Sequence, residues 1–192
     1  FTIMKAQINI NTFKKSHFLG ILMLVILSYS CSPDPILIDT SLKLPPVPLD
    51  TDGWVVESYS SQEDNNGEGE GNGRVYNTFD GNPDTFWHTC WLGCTAEAPH
   101  FFVIDMLEPK EITGIIFTQR QSLSRNIEVL SIEVSNDNSS WTSVGEFTLE
   151  SIKAGQDKVL PEVVSARYIK LNVIKVFDGT NNAALAEIAP YF

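Results

Sequence analysis

The stretch that decides the fold is Phe79-Asp80-Gly81-Asn82-Pro83-Asp84-Thr85-Phe86-Trp87-His88-Thr89-Cys90-Trp91. Its first half consists of turn formers, because Gly tolerates positive φ, Pro presets φ, and Asn and Asp side chains bond to the nearby backbone. A tight loop of this kind points carbonyl groups inward, and Asp80 and the Thr85 hydroxyl add oxygen ligands of the kind that calcium prefers. A plain solvated turn is the alternative, since acidic turns are common and the helix-loop-helix calcium pattern is absent.

Aromatic residues fill the second half of this stretch. Phe86, Trp87 and Trp91 carry large apolar surfaces, and their burial would contribute strongly to stability. We therefore expect the loop to be clamped onto a core rather than free in solvent, and a clamped loop can hold a site.

Outward from this stretch, the chain has the pattern of a series of short strands. Little helical periodicity follows Trp54, and strand signals recur between polar turns. The predicted strands are Trp54–Glu57, Phe101–Asp105, Ile112–Thr118, Ile127–Ser135, Trp141–Phe147, Arg167–Val173 and Ala184–Tyr191, and Asp64–Gly73 is predicted to be a long flexible loop. This spacing of strands indicates an all-β sandwich, although periodicity does not separate a jelly roll from an immunoglobulin topology.

Two sequence blocks resemble a known family. The pattern Asp-Gly-Asn-x-x-Thr-x-Trp-His-Thr-x-Trp at residues 80–91, followed by Pro99–Asp105, resembles the coagulation factor V/VIII type C (discoidin-like) domain. The closest branch is the family 32 carbohydrate-binding modules of bacterial proteins, and the resemblance runs from about Trp54 to Tyr191. It implies a jelly-roll β-sandwich of the galactose-binding-domain-like type, with its binding loops gathered at one end.

The resemblance also implies a set of sugar-binding residues. The segment Phe117–Gln121 is similar to the family's sugar-binding segment, which implies that Arg120, His88 and, with an extra residue in the spacing, Asn126 bind hydroxyl groups. Arg125 is the alternative to Asn126. From the residues alone, a hydrogen-bonded core histidine is the favoured interpretation of His88, and a surface salt bridge is the favoured interpretation of Arg120.

The aromatic platform of the family is not at its usual place. Family members often carry an exposed aromatic residue just before the C-terminal Ala-x-x-Ala-Glu-Ile, and Asn182 holds that position here. Phe177 or Trp91 is the candidate substitute, because either ring can present its face to the C–H surface of a sugar.

The same resemblance completes a predicted calcium site. It adds Glu187 and the carbonyl groups of Asn77 and Asn82 to Asp80 and Thr85. A structural calcium ion in this position would tie the loop to the last strand.

The cysteines and the second histidine have structural interpretations. Cys90 and Cys94 lie close together in a chain expected to be exported, which favours a disulfide over a zinc pair or two buried thiols. His100 opens a predicted strand and is interpreted as structural.

The N-terminal region has the pattern of a targeting signal. Lysines precede the apolar run Phe18–Leu27, and Cys31 follows it, which predicts a lipoprotein-type signal peptide at 1–30 with lipidation of Cys31. Ordinary secretion with a chance cysteine is the alternative. Prolines then predict an extended tether at 31–53, before a domain at 54–192. We expect export and lipid anchoring to a bacterial outer membrane or cell surface, with membrane contact only through Cys31.

The net charge and the absence of catalytic motifs narrow the range of possible functions. The net charge of −11 argues against a nucleic-acid partner. No serine elbow or zinc motif is present, and Asp80 is better interpreted as a calcium ligand than as one of a glycosidase carboxylate pair. We therefore expect a non-catalytic, carbohydrate-binding surface lipoprotein that recognises a mono- or oligosaccharide of galactose type. The alternative is an adhesin with a protein or peptide partner.

Overall fold

The computed structural model describes residues 45–192, and the fold of this part is almost entirely β. The strands are β1 Val55–Tyr59, β2 Trp87–His88, β3 His100–Thr118, β4 Ile127–Ser135, β5 Thr142–Thr148, β6 Gln156–Val176, β7 Ala184–Leu185 and β8 Glu187–Tyr191. One 3-10 helix, Val75–Phe79, precedes the Asp80 turn. The predicted all-β jelly-roll sandwich is confirmed.

Two long strands organise the main sheet, in which the order is β1-β3-β6-β4-β5 and β8 pairs with β3. The register between β3 and β6 shifts between Asp105 and Lys110 and again between Ile112 and Gly114. Such bulges bend a strand, and the first halves of β3 and β6 therefore have different neighbours from the second halves. The sequence predicted two separate strands where β3 is continuous, because the polar residues at its bend resemble a turn.

The β4–β5 hairpin joins two of the predicted strands. Strand β4 has the predicted bounds and pairs with β5 from Val129 opposite Thr148 to Val134 opposite Thr142. Ile132 on β4 and Leu171 on β6 face each other in the register and are fully buried. Both residues belong to the main hydrophobic core of the sandwich.

The aromatic half of the Asp80 stretch packs into this core. Trp87 on β2 is fully buried, and its ring meets that of Phe102 edge-on at a centroid distance of 5.1 Å. Strand β2 pairs with β7 in a small second sheet. The expectation of a clamped loop is therefore correct for the segment that carries His88.

The domain begins before Trp54. Pro48 forms a bridge with Tyr191 of β8, and the Leu49 N–H donates to the Pro190 carbonyl at 2.8 Å. The last part of the predicted tether at 31–53 therefore lies against the final strand. The predicted signal peptide at 1–30 and Cys31 lie outside the described residues. Within residues 45–192, no helix has the length and hydrophobicity needed to cross a membrane.

Candidate functional site

Loops from four parts of the chain meet in one cavity. The cavity has a volume of about 230 Å³. Its lining comprises Glu68, His88, Trp91, Arg120, Ser124, Arg125 and Asn182. These residues come from the 64–73 loop, strand β2 and the loop after it, the loop between β3 and β4, and the loop before β7. This assembly of separate loops is the arrangement that the family resemblance implied.

Arg120 is held in the cavity by charge and by an aromatic ring. Its Nη2 donates to Glu68 Oε2 at 2.6 Å, and its guanidinium lies 4.1 Å from the centroid of the Phe86 ring. The exposed fractions of the two charged side chains are 17% for Arg120 and 9% for Glu68. The predicted alternative of an ion pair is thus present, but the ion pair lines the cavity instead of lying on the open surface.

His88 is buried behind the same carboxylate. Its Nδ1 lies 2.6 Å from the Thr89 carbonyl oxygen, which can only accept, so the proton is assigned to Nδ1. Its Nε2 lies 3.6 Å from Glu68 Oε1. Burial lowers the pKa of His88, an effect that the Thr89 carbonyl and Glu68 oppose. The neutral ring therefore presents an acceptor nitrogen toward an acceptor oxygen.

Trp91 forms an aromatic wall of the cavity. Its indole Nε1 donates to Glu68 Oε1 at 2.8 Å, and its side chain remains about half exposed. The Cys90–Cys94 disulfide encloses it, with the two Cα atoms 5.9 Å apart. The disulfide prediction is confirmed, which removes the zinc-pair and free-thiol alternatives for these two cysteines.

Two of the five predicted ligand-binding residues do not line the cavity. Asn126 is 1% exposed, and neither polar atom of its side chain has a partner among the described residues. The extra residue in its spacing instead brings Arg125 to the cavity, where Arg125 Nη1 donates to Asp178 at 2.7 Å. Phe177 is exposed but lies outside the lining, so Trp91 is the aromatic residue at the site.

Glu68 is the residue that sequence analysis missed. Its carboxylate touches Arg120 and Trp91, yet it belongs to Asp64–Gly73, which the sequence predicted to be a flexible loop. The loop is pinned instead: Asn65 Nδ2 donates to the Leu92 carbonyl at 2.7 Å. The sequence signal for Glu68 is its position between Gly67 and Gly69, since glycines permit the turns that return a side chain to the core.

The predicted calcium ligands gather at the Asp80 turn. Thr85 Oγ1 lies 2.7 Å from Asp80 Oδ2 and 2.8 Å from the Asn82 carbonyl oxygen, and its single hydroxyl proton is available to either acceptor. The Asn77 amide lies 3.4 Å from Asp80 Oδ2. Glu187 reaches the same turn from β8, where burial and the neighbouring Asp80 carboxyl raise its pKa to about 8.

The Asp80 turn fits a hard cation. Glu187 is largely buried, and its Oε1 has no hydrogen-bond partner among the described residues. Two carboxyl groups beside the Asn82 carbonyl oxygen and the Thr85 hydroxyl make a favourable donor set for a divalent ion with oxygen ligands. Of the predicted set, Asp80, Thr85, Glu187 and the Asn82 carbonyl are the groups that would hold it, whereas Asn77 turns its side-chain amide, which is a donor, toward Asp80.

Sequence comparison places these loops in a known family. The F5/8 type C domain matches residues 57–188, which is most of the described part. The chain belongs to the F5/8 type C domain family. The chain is 37% identical over 122 residues to a sialidase of Micromonospora viridifaciens, a match that covers 60% of this chain and 18% of the sialidase. The chain spans about a fifth of the length of the curated relatives that it matches.

Solved structures of F5/8 type C relatives have the same fold. The C-terminal domain of a chitobiase from Bacteroides fragilis is 32% identical with a TM-score of 0.68, over 75% of this chain and 96% of that domain. A family 32 carbohydrate-binding module of Clostridium perfringens NanJ, in complex with galactose, is 23% identical with a TM-score of 0.64. That match covers 77% of this chain and all of the module. Both structures therefore share the β-sandwich fold of this chain.

Proposed function

We propose that this protein is a non-catalytic carbohydrate-binding module that takes a sugar into the cavity of Glu68, His88, Trp91 and Arg120. The observation that carries the proposal is the convergence of an acceptor nitrogen, a carboxylate, a guanidinium and an indole on one cavity. A small site with a few placed polar groups and an aromatic wall suits a neutral sugar better than a flat protein partner.

The polar groups match the hydrogen-bonding capacity of a hydroxyl group. His88 Nε2 and Glu68 Oε1 are two acceptors 3.6 Å apart. Each hydroxyl group brings one donor and two acceptor lone pairs, so sugar hydroxyls can donate to these acceptors and accept from Arg120. The half-exposed face of Trp91 is available for the C–H surface of the sugar ring.

Several observations support binding without catalysis. The NanJ module binds galactose, and the matched sialidase is an enzyme of which this chain covers 18%. Glu68 is the sole carboxylate in the lining of the cavity, whereas glycoside hydrolysis commonly uses a pair. These points favour a role in holding a glycan, with the chemistry left to other domains or proteins.

Two accessory features belong to the same proposal. A structural calcium ion at the Asp80 turn would neutralise Asp80 and Glu187 and fix the turn against β8. Export and lipid attachment at Cys31 would place the module on a bacterial surface, and this element is supported by the sequence alone.

The test is a titration of the purified protein with a small set of sugars, in the presence of calcium and of chelator. Galactose and glucose form a matched pair that differs in the direction of one hydroxyl group. We expect saturable binding of galactose or of a disaccharide that ends in it, and weaker binding of glucose. Absence of binding to any sugar in a broad glycan panel would contradict the proposal.

A further inference from the structure

Glu63 is the least exposed carboxylate of residues 45–192, with an exposed fraction of 1%. Backbone N–H groups on two loops hold its charge. Oε1 accepts from Asn65 at 2.8 Å, while Oε2 accepts from Trp91 at 2.8 Å and from Leu92 at 2.9 Å. A single side chain therefore binds the 64–73 loop and the disulfide loop at the same time.

The backbone of Glu63 is hydrogen-bonded to strand β2, which carries His88 into the cavity. Its N–H donates to the His88 carbonyl at 2.9 Å and to the Gly73 carbonyl at 3.2 Å. The Glu63 main chain is thus fixed to strand β2 while its side chain reaches the two loops. The three connections meet at one residue that does not itself line the cavity.

The groups fixed by these bonds are the ones that face the ligand. Trp91 follows Cys90 in the disulfide loop, and Glu68 follows Gly67 in the other loop. The two loops touch closely, since a Cβ atom on Gly67 would lie 3.0 Å from the Trp91 indole. The Trp91 indole in turn donates to Glu68. The relative position of the indole and the Glu68 carboxylate therefore depends on how the two loops are joined.

We propose that Glu63 is the positioning residue of the cavity, which joins the two loops through their backbone N–H groups and thereby fixes Trp91 against Glu68. Its importance for ligand affinity rests on the proposed sugar binding, whereas the positioning itself does not. An ionised carboxylate suits this place because it only accepts, while an amide would turn a donor toward one of the N–H groups. An unpaired buried donor is costly, so the substitution is expected to release one loop.

The experiment compares Glu63→Gln with Asp137→Asn in ¹⁵N-labelled full-length protein. Asp137 is a matched control because its carboxylate also accepts backbone N–H groups, from Ser139 and Ser140, but in the turn between β4 and β5. The protein has four tryptophans, and their indole N–H signals report on four separate places. The Trp91 signal is identified by its loss in Trp91→Phe.

We expect Glu63→Gln to shift the Trp91 indole signal and to speed its exchange with water, and to leave the other three in place. Asp137→Asn should move none of them. Galactose affinity, if the wild-type protein binds galactose, should fall by about ten-fold in Glu63→Gln alone, as expected for the loss of roughly one buried hydrogen bond. An unmoved Trp91 signal with unchanged affinity would overturn the proposal.

Two further outcomes also test the positioning role of Glu63. If Glu63→Gln does not fold, amide hydrogen exchange in the wild-type protein tests the proposal instead. The N–H groups of Trp91 and Leu92 lie outside the strands, and we expect them to exchange on the order of a hundred-fold more slowly than unprotected amides. Unprotected amides there would overturn the positioning role. If the Trp91 signal responds as expected but the wild-type protein binds no sugar, the positioning role stands and the proposed function fails.

Discussion

The Glu68 carboxylate and the Arg120 guanidinium meet at 2.6 Å although they lie 52 residues apart in the chain. Each comes from a loop, and each has little exposure to solvent. Because the pair is shielded, the loss of one member leaves the other with an unbalanced charge in the cavity. Arg120 therefore contributes to stability as well as to the proposed binding site.

A double-mutant cycle measures this coupling. Arg120→Ala is expected to lower the free energy of unfolding by roughly 1–3 kcal/mol, because Glu68 loses its charged partner. Glu68→Gln keeps an acceptor for the Trp91 indole, and the double variant should be less destabilised than the sum of the two single variants. Urea unfolding with calcium present provides the four free energies. Additive effects would mean that the two side chains are not energetically coupled.

Trp91 and Phe177 form a matched pair of aromatic substitutions. Their exposed fractions are nearly equal, 45% and 43%, but only Trp91 lines the cavity. Trp91→Ala is expected to weaken galactose binding by about ten-fold or more, since the sugar loses its apolar contact. Phe177→Ala should leave the affinity within about two-fold. Calorimetric titration distinguishes them, and the reverse order of effects would place the platform at Phe177.

Glu187 gives the metal-free protein a pH-dependent stability. Its pKa is raised from 4.5 to about 8, so the folded state retains a proton that the unfolded state releases. The resulting stabilisation is complete below pH 4.5 and is lost as the pH rises toward 8. In chelator, Glu187→Gln should therefore be more stable than the wild-type protein at pH 8 and close to it at pH 4.5.

Calcium should reverse that order. With the ion bound, the ionised Glu187 is a ligand, and at pH 8 the wild-type protein should exceed Glu187→Gln in melting temperature. Melts at both pH values, with calcium and with chelator, provide the comparison. Melting temperatures that do not respond to calcium in either protein would remove the proposed metal.

Gly73 and Gly71 test the close approach at Glu63. A Cβ atom on Gly73 would lie 2.5 Å from the Glu63 carbonyl oxygen, whereas one on Gly71 would have no atom within 4 Å. Both residues have positive φ, so alanine is strained at each. Gly73→Ala should lower the free energy of unfolding by about 1–3 kcal/mol more than Gly71→Ala, because it also displaces the Glu63 backbone. Equal losses of unfolding free energy in the two variants would show that the Glu63 backbone shifts without an energetic cost.

The sequence predicts the strands and the motif residues well because their signals are local. The alternation along β4 and the turn chemistry at Asp80 each involve neighbours in the chain. His88 and Arg120 could be assigned to the site because they stand inside family blocks. The disulfide is also local, since only three residues separate Cys90 from Cys94.

The parts of the site that the sequence does not predict depend on contacts between distant residues. Glu68 lies in a segment whose composition favours flexibility, and its role appears only when Arg120 and Trp91 are brought beside it. The change from Asn126 to Arg125 follows from one extra residue in a loop, whose effect depends on backbone geometry. Even the strand β6 begins eleven residues before the predicted Arg167, because Gln156–Ala166 pairs with the distant second half of β3.

The bridge between Pro48 and Tyr191 determines where any preceding segment joins the domain. Strand β8 runs from Glu187, opposite Thr118, to Tyr191, opposite Gly114. Arg120 follows Thr118 by two residues, so the junction lies a full strand length, about 13 Å, from the start of the loop that carries it. The first bridge of the described domain, at Pro48, is therefore separated from the Arg120 loop along the length of β8.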